Sequence, residues 1–181
     1  MADEESAKVF AVAAFFSPEE CDRVIALADL APVLEGNVGT VPRASQVRFL
    51  VPSKESAWVF QKLEKAISDA NKTFRYPLTG IEPVQVARYP EGCYYGWHAD
   101  GIPGGPNSAR KLSLSVQLSD PEDYAGGSLE FKDTPTEDIT GRGTLIVFPS
   151  FMVHRVSAVT RGVRQSLVAW VIGKDSPPQG S

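Results

Sequence analysis

Two periodicities divide the chain. From Ser17 to about Asn71 apolar residues recur three and four apart, whereas from Gly80 to Ile172 they alternate or run in short blocks. Helices are therefore predicted first and strands afterwards. Ser17-Pro18-Glu19-Glu20 has the form of a capping box with proline at the first helical position, ahead of an apolar stripe of Cys21, Val24, Ile25, Ala28 and Leu30. A second helix is predicted over 54–71, where Ala57, Trp58, Leu63, Ala66 and Ile67 carry the stripe. Between the helices, 36–48 contains Gly, Pro and Asn and leads into a strand-like 45–51. In Lys111 to Leu118, residues Leu112, Leu114, Val116 and Leu118 share one face, and Ser113, Ser115 and Gln117 the other. Thr144 to Pro149 reads as a buried strand. In Val163 to Ile172, Arg164, Ser166, Val168 and Trp170 lie opposite Val163, Gln165, Leu167, Ala169 and Val171.

Helices followed by seven or eight short strands, with turn signals at 89–92, 119–121, 125–127 and 139–141, fit a mainly β fold with flanking N-terminal helices. The expected architecture is a double-stranded β-helix, a jelly-roll or cupin-like barrel. The 181 residues suit a single domain, 1–181, with helical support over about 8–75, a β core over about 80–173 and a tail at 174–181. Residues 1–7 and 174–181 are the disorder-prone segments. Residues 101–109 hold too much glycine and proline for a strand and are expected to form a mobile lid or substrate loop beside 37–45, with Arg43 and Arg110 as substrate contacts.

Charge and cysteine usage narrow the classes. A net charge of −4 with no basic stripe argues against nucleic acid as a partner, since that binding rests on Lys and Arg neutralising phosphates. No apolar run is long enough to span a bilayer, and the start of the chain is acidic where a secretory signal is basic. The two cysteines, Cys21 and Cys93, make no disulfide framework, which points to a reducing, cytoplasmic setting. Cys93 is expected to be a small buried side chain, not a ligand.

The chemistry lies in the only two histidines, His98 and His154. His98 belongs to a His98-Ala99-Asp100 triplet. On a strand from Tyr94 through Asp100, residues two apart point the same way, so His98 and Asp100 can face one ion while His154 reaches it from the end of the 144–149 strand. Two histidines and one carboxylate form the facial set that binds Fe(II) and leaves three adjacent positions open.

The flanks extend this. Tyr89-Pro90, His98-x-Asp100, Gly126-Gly127 with Leu129-Glu130-Phe131, Phe148-Pro149, and His154-Arg155-Val156 followed by Thr160 to Arg164 resemble the Fe(II)/2-oxoglutarate dioxygenases. Within them the likeness is to the prolyl 4-hydroxylase-like group that includes the PKHD-type hydroxylases, and it runs from about Phe15 to Ile172. The resemblance implies Fe(II) on His98, Asp100 and His154, with 2-oxoglutarate as co-substrate, O2, and ascorbate as a reductant for oxidised iron. It gives Arg164, ten residues beyond His154, the far carboxylate of 2-oxoglutarate, and Tyr89 a hydroxyl contact with the same ligand. Gln117 is a further hydrogen-bond donor to it, and Ser115, Trp170 and Arg110 are pocket lining. The charge requirement stands on its own, because a carboxylate carried into a pocket is costly unless paired, and arginine pairs it with two prongs. No catalytic residue beyond the metal centre is expected.

The implied reaction is hydroxylation of an unactivated C–H, of a prolyl residue or another amino-acid side chain in a peptide or protein, with succinate and CO2 as co-products. A free amino acid or small metabolite is the alternative substrate. An AlkB-like nucleic-acid demethylase would place a second arginine six residues beyond Arg164, where this chain has Trp170. A non-catalytic cupin-like metal-binding module would need neither Arg164 nor Tyr89. Asp100 favours hydroxylation over halogenation, for which related enzymes give up the carboxylate.

Overall fold

The computed structural model describes residues 9–35, 41–134 and 141–174. The 37–40 part of the expected mouth segment, the 139–140 turn residues, residues 1–7 and the tail from 175 lie outside them.

Strand β1 (Phe10–Val12) precedes helix α1 (Pro18–Asp29). The predicted capping box forms: the Glu20 amide donates to Ser17 Oγ at 3.2 Å, and the Ser17 amide donates to the Glu20 carboxylate at 2.9 Å. Short strands β2 (Leu34–Glu35), β3 (Arg43–Ala44) and β4 (Gln46–Phe49) lead to helix α2 (Ala57–Phe74). This helix begins three residues later than predicted because residues 53–56 close on their own hydroxyls. The Ser53 amide donates to Ser56 Oγ, which in turn donates to the Val51 carbonyl, each at 2.8 Å. It runs past Asn71 and ends at Arg75, which adopts the left-handed conformation (φ 58°) and donates its amide to the Asn71 carbonyl.

The remaining strands are β5 (Leu78–Ile81), β6 (Gln85–Pro90), β7 (Tyr94–His98), β8 (Arg110–Gln117), β9 (Tyr124–Gly126), β10 (Leu129–Phe131), β11 (Leu145–Pro149), β12 (His154–Val156) and β13 (Val159–Gly173). That is more than the seven or eight expected, because β9 and β10 are three residues each, too short to show a period. All pairings are antiparallel. The large sheet runs β1-β11-β8-β13-β6-β4-β2, with β5 and β9 also on β13, and the small sheet runs β10-β12-β7-β3. The two sheets form the double-stranded β-helix expected from the pattern.

The main core lies outside the barrel, between the large sheet and the helices. Leu112, Leu114, Val116, Leu167, Ala169 and Val171 pack there with Val24, Ala28, Val59, Leu63, Ala66 and Ala70. The opposite, polar face of β8 and β13 is equally buried, and it looks into the barrel. Among the described residues no helix is long and apolar enough to cross a membrane.

Candidate active site

His98 and His154 are cross-strand partners on β7 and β12, which brings their rings to 4.3 Å between centroids. Asp100 joins them from a turn, not from the strand as predicted, since β7 ends at His98. The reason is local: the Asp100 and Gly101 amides both donate to the Ser150 carbonyl, at 2.9 and 3.0 Å, and pull the chain out of the ladder. The carboxylate still faces both rings, with His98 Nε2 3.3 Å from Oδ1 and His154 Nε2 3.4 Å from Oδ2.

The protonation pattern follows from the neighbours. Each imidazole Nδ1 lies 2.8 Å from a backbone carbonyl, Gly96 for His98 and Met152 for His154. A carbonyl only accepts, so Nδ1 carries the proton and Nε2 keeps its lone pair. Two lone pairs then face a carboxylate, acceptor against acceptor, an arrangement that a cation between them resolves. Burial pushes the His154 pKa down and so favours the neutral, ligating form. Burial alone would raise Asp100, but positive charge on a facing histidine, whenever one is protonated, and the Ser113 hydroxyl, which donates to Oδ2 at 2.7 Å, hold it below the usual carboxylate range. Ser113 in turn sits 3.0 Å from Ser150 Oγ. The three donor atoms lie within 4.8 Å of one another. Two neutral imidazoles and one ionised carboxylate, each oriented by a hydrogen bond of its own, fit Fe(II).

The triad opens into a cavity whose wall combines polar groups from Arg164, Tyr89 and Ser166 with the apolar side chains of Leu129, Phe148 and Val168. Arg164, opposite Tyr89 in the β13–β6 ladder, lines it while only 4% exposed. Its guanidinium lies 5.7 Å from the Tyr89 ring centre and donates to Ser166 Oγ at 3.3 Å. Burial pushes its pKa down, countered by Tyr89 and by the neighbouring Tyr124. Among the described residues no carboxylate pairs with it. A buried guanidinium without a counter-ion is an anion site. Gly127 (φ 61°) makes room for it, since a Cβ there would meet Arg164 Cδ at 3.0 Å.

Of the other residues named from sequence, Tyr89, Ser115, Trp170 and Arg43 line the cavity. Gln117 lies behind Arg164, outside the lining, and its amide donates to Tyr124 Oη at 2.9 Å and to the Ser119 carbonyl at 3.2 Å. Arg110 stacks its guanidinium 4.0 Å over the Trp170 ring and binds Glu82 with two prongs, at 2.6 and 2.8 Å. Residues 101–109 form a nest of turns held by their own amides, such as Ile102 to the Pro106 carbonyl and Gly105 to the Ile102 carbonyl.

Three residues of the site escaped the sequence reading. Ser113 is placed by the sequence on the polar face of β8, but its hydrogen bond to Asp100 is not legible there. Tyr95 stacks on His98 at 3.6 Å between ring centres. Alternation alone would turn Tyr95 away from His98, and the register shift in the β7–β12 pairing turns both inward. Tyr124 follows a short 3-10 turn that no periodicity marks.

The comparisons agree with this geometry. Residues 84–172 match the model of the 2OG-Fe(II) oxygenase superfamily. A PKHD-type hydroxylase of Xylella fastidiosa strain M23 is 33% identical over 76% of this chain and 66% of its own length. One from Rippkaea orientalis is 31% identical over 78% of this chain and 68% of its own. The chain thus spans about two thirds of these curated relatives. Among solved structures, a Pseudomonas putida prolyl-4-hydroxylase superposes with a TM-score of 0.75 at 21% identity, covering 94% of this chain and 95% of that one. A viral collagen prolyl hydroxylase from Paramecium bursaria Chlorella virus-1, solved in complex with 2OG, gives 0.73 at 24% identity, covering 94% and 98%. With a His-Asp-His centre and a buried arginine in one barrel, and 31% identity to a curated relative over 78% of this chain and 68% of that one, the chain belongs to the PKHD-type hydroxylases of the 2OG-Fe(II) oxygenase superfamily.

Proposed function

We propose that this protein is an Fe(II)- and 2-oxoglutarate-dependent dioxygenase that hydroxylates a prolyl residue, or another amino-acid side chain, within a peptide or protein. The observation that carries the reading is the shared cavity: a three-ligand metal centre and an unpaired, buried Arg164 face one space. The fold neighbours named as prolyl hydroxylases, one of them acting on collagen by its name, support the choice of a prolyl target.

His98, Asp100 and His154 would hold Fe(II), which when bound with 2-oxoglutarate and O2 supplies the power to hydroxylate an unactivated C–H, with succinate and CO2 as products. The chain's own residues bind, orient and exclude. The Gly96 and Met152 carbonyls fix the imidazole tautomers, and Ser113 orients Asp100. Arg164 receives the far carboxylate of 2-oxoglutarate beside Tyr89, while Gln117 acts through Tyr124, behind Arg164, and does not touch the ligand itself. Leu129, Phe148, Val156 and Val168 make the walls apolar and keep water from the reacting centre.

The test is to supply Fe(II), 2-oxoglutarate, O2 and ascorbate with a panel of proline-containing peptides, and to follow succinate release and the gain of one oxygen atom by mass spectrometry. A peptide that gains oxygen in step with succinate supports the reading. Succinate release that no peptide stimulates, with oxygen gained by free amino acids, would replace the peptide substrate by a small one.

A further inference from the structure

The cavity holds one cation more than its chemistry requires. Among the described residues two arginines, Arg43 and Arg164, line it, Arg110 stacks on its wall at Trp170, and Arg155 stands on the neighbouring strand β12. Arg164 serves the co-substrate, Arg110 is neutralised by Glu82, and Arg155, 4.6 Å over the Trp97 ring, is neutralised by Glu130 at 2.7 Å. Arg43 is different. It lines the cavity, and among the described residues its side chain's only hydrogen bond is from Nε to Ser45 Oγ at 2.7 Å, which leaves both terminal nitrogens of the fork unspent there. Among the described residues no carboxylate pairs with it.

The side chain is nevertheless held in place. Arg43 is the cross-strand partner of Tyr95, and its guanidinium lies 4.6 Å from the centre of that ring, whose other neighbour is His98. The short β3 that carries it is fixed by the Gly96 amide, which donates to the Pro42 carbonyl at 2.8 Å. Glycine eases this approach, since a Cβ at 96 would stand 3.2 Å from that carbonyl oxygen and the strand would have to give by a few tenths of an ångström. A guanidinium oriented one aromatic layer above the metal centre loses little freedom on meeting a ligand.

Charge balance indicates what that ligand is. The two charges of Fe(II) and that of Arg164 are matched by Asp100 and the dianionic co-substrate, which leaves Arg43 as the surplus positive charge. We infer that Arg43 is a substrate-binding residue and that the substrate carries a carboxylate close to the carbon that is hydroxylated. That carboxylate is either the α-carboxylate of an amino acid or chain end, or the side chain of an acidic neighbour in a peptide. The inference rests on the dioxygenase reading of the pocket and narrows its substrate class.

The experiment titrates the anaerobic protein, loaded with Fe(II) and 2-oxoglutarate, with matched pairs of probes and follows the perturbation of the visible charge-transfer band. One pair is L-proline and L-prolinamide. The other is a doubly blocked alanyl-prolyl-glutamate peptide and its glutamine counterpart. The acid of at least one pair is expected to bind about tenfold or more tightly than its amide, the scale of a charge-assisted hydrogen bond. The preference should vanish in Arg43→Gln and survive in part in Arg43→Lys, and the pair that shows it identifies the source of the carboxylate. Equal affinities within both pairs, no binding by any probe, or a preference that persists in Arg43→Gln overturns the inference. If no band forms with 2-oxoglutarate at all, the dioxygenase reading falls and this one falls with it.

Discussion

Strand β8 presents two buried faces that do opposite work. Leu112, Leu114, Val116 and Leu118 are sealed against the helices, whereas Ser113, Ser115 and Gln117, equally withdrawn from solvent, look into the barrel. The first face contributes by removing apolar area from water. The second gains nothing that way, because a buried polar group costs free energy unless it is partnered. Its partners are the parts of the site: Ser113 orients Asp100, and Gln117 supports Tyr124 beside Arg164. Burial by itself therefore does not mark a core position in this fold, and the identity of the partner separates core from site.

If the two faces are energetically separate, substitutions should move stability or binding but not both. The largest effect is expected from Asp100→Ala: loss of iron binding and of turnover, with the melting temperature of the metal-free protein held or raised as the acceptor contacts with the histidines vanish. A large fall in metal-free stability would mean that Asp100 is a structural residue. Next comes Arg164→Ala, which should leave iron bound but weaken 2-oxoglutarate by roughly 2–5 kcal/mol, the cost of leaving a buried carboxylate unpaired. Isothermal titration of the Fe(II)-loaded protein measures it, and an unchanged affinity would remove Arg164 from the site.

In the core against the opposite face, Leu63→Ala in α2 should lower unfolding stability by about 2–5 kcal/mol while the folded fraction binds 2-oxoglutarate as before. Chemical denaturation beside ligand titration separates the two, and a matching loss of affinity would show the faces to be coupled. Smaller still is Tyr124→Phe, expected to weaken 2-oxoglutarate by about 0.5–1.5 kcal/mol through a less well placed Arg164. Ser17→Ala should cost about 1 kcal/mol of stability through loss of the α1 cap, with no change in ligand affinity.

Period carried most of what the sequence disclosed. The capping box at Ser17, the alternation of β8, and the inward set of Arg164, Ser166, Val168 and Trp170 on β13 were all readable, because each is a regular repeat or a local hydrogen-bond motif. The features that escaped are those where regularity breaks. The register shift that turns Tyr95 onto His98 reverses the alternation, the Ser150 carbonyl takes Asp100 out of its strand, and Tyr124 enters from an irregular turn. Gln117 shows the limit of facing alone: its side chain is on the inward face, yet it ends behind Arg164, with its amide donated to Tyr124 and Ser119. For Tyr95 and Asp100 the deciding neighbour is distant in sequence, so no local window contains the information, whereas the partners of Gln117 are only two and seven residues on but sit in and after an irregular turn that carries no period.

The most direct test of the account is an anaerobic titration of the Fe(II)-loaded protein with 2-oxoglutarate, monitored in the visible. The expected result is a weak, saturable charge-transfer band that needs His98, Asp100 and His154 and that shifts to much higher ligand concentration in Arg164→Ala. Iron bound without any such band would contradict it, leaving a metal site with no co-substrate and a barrel that binds without oxidising.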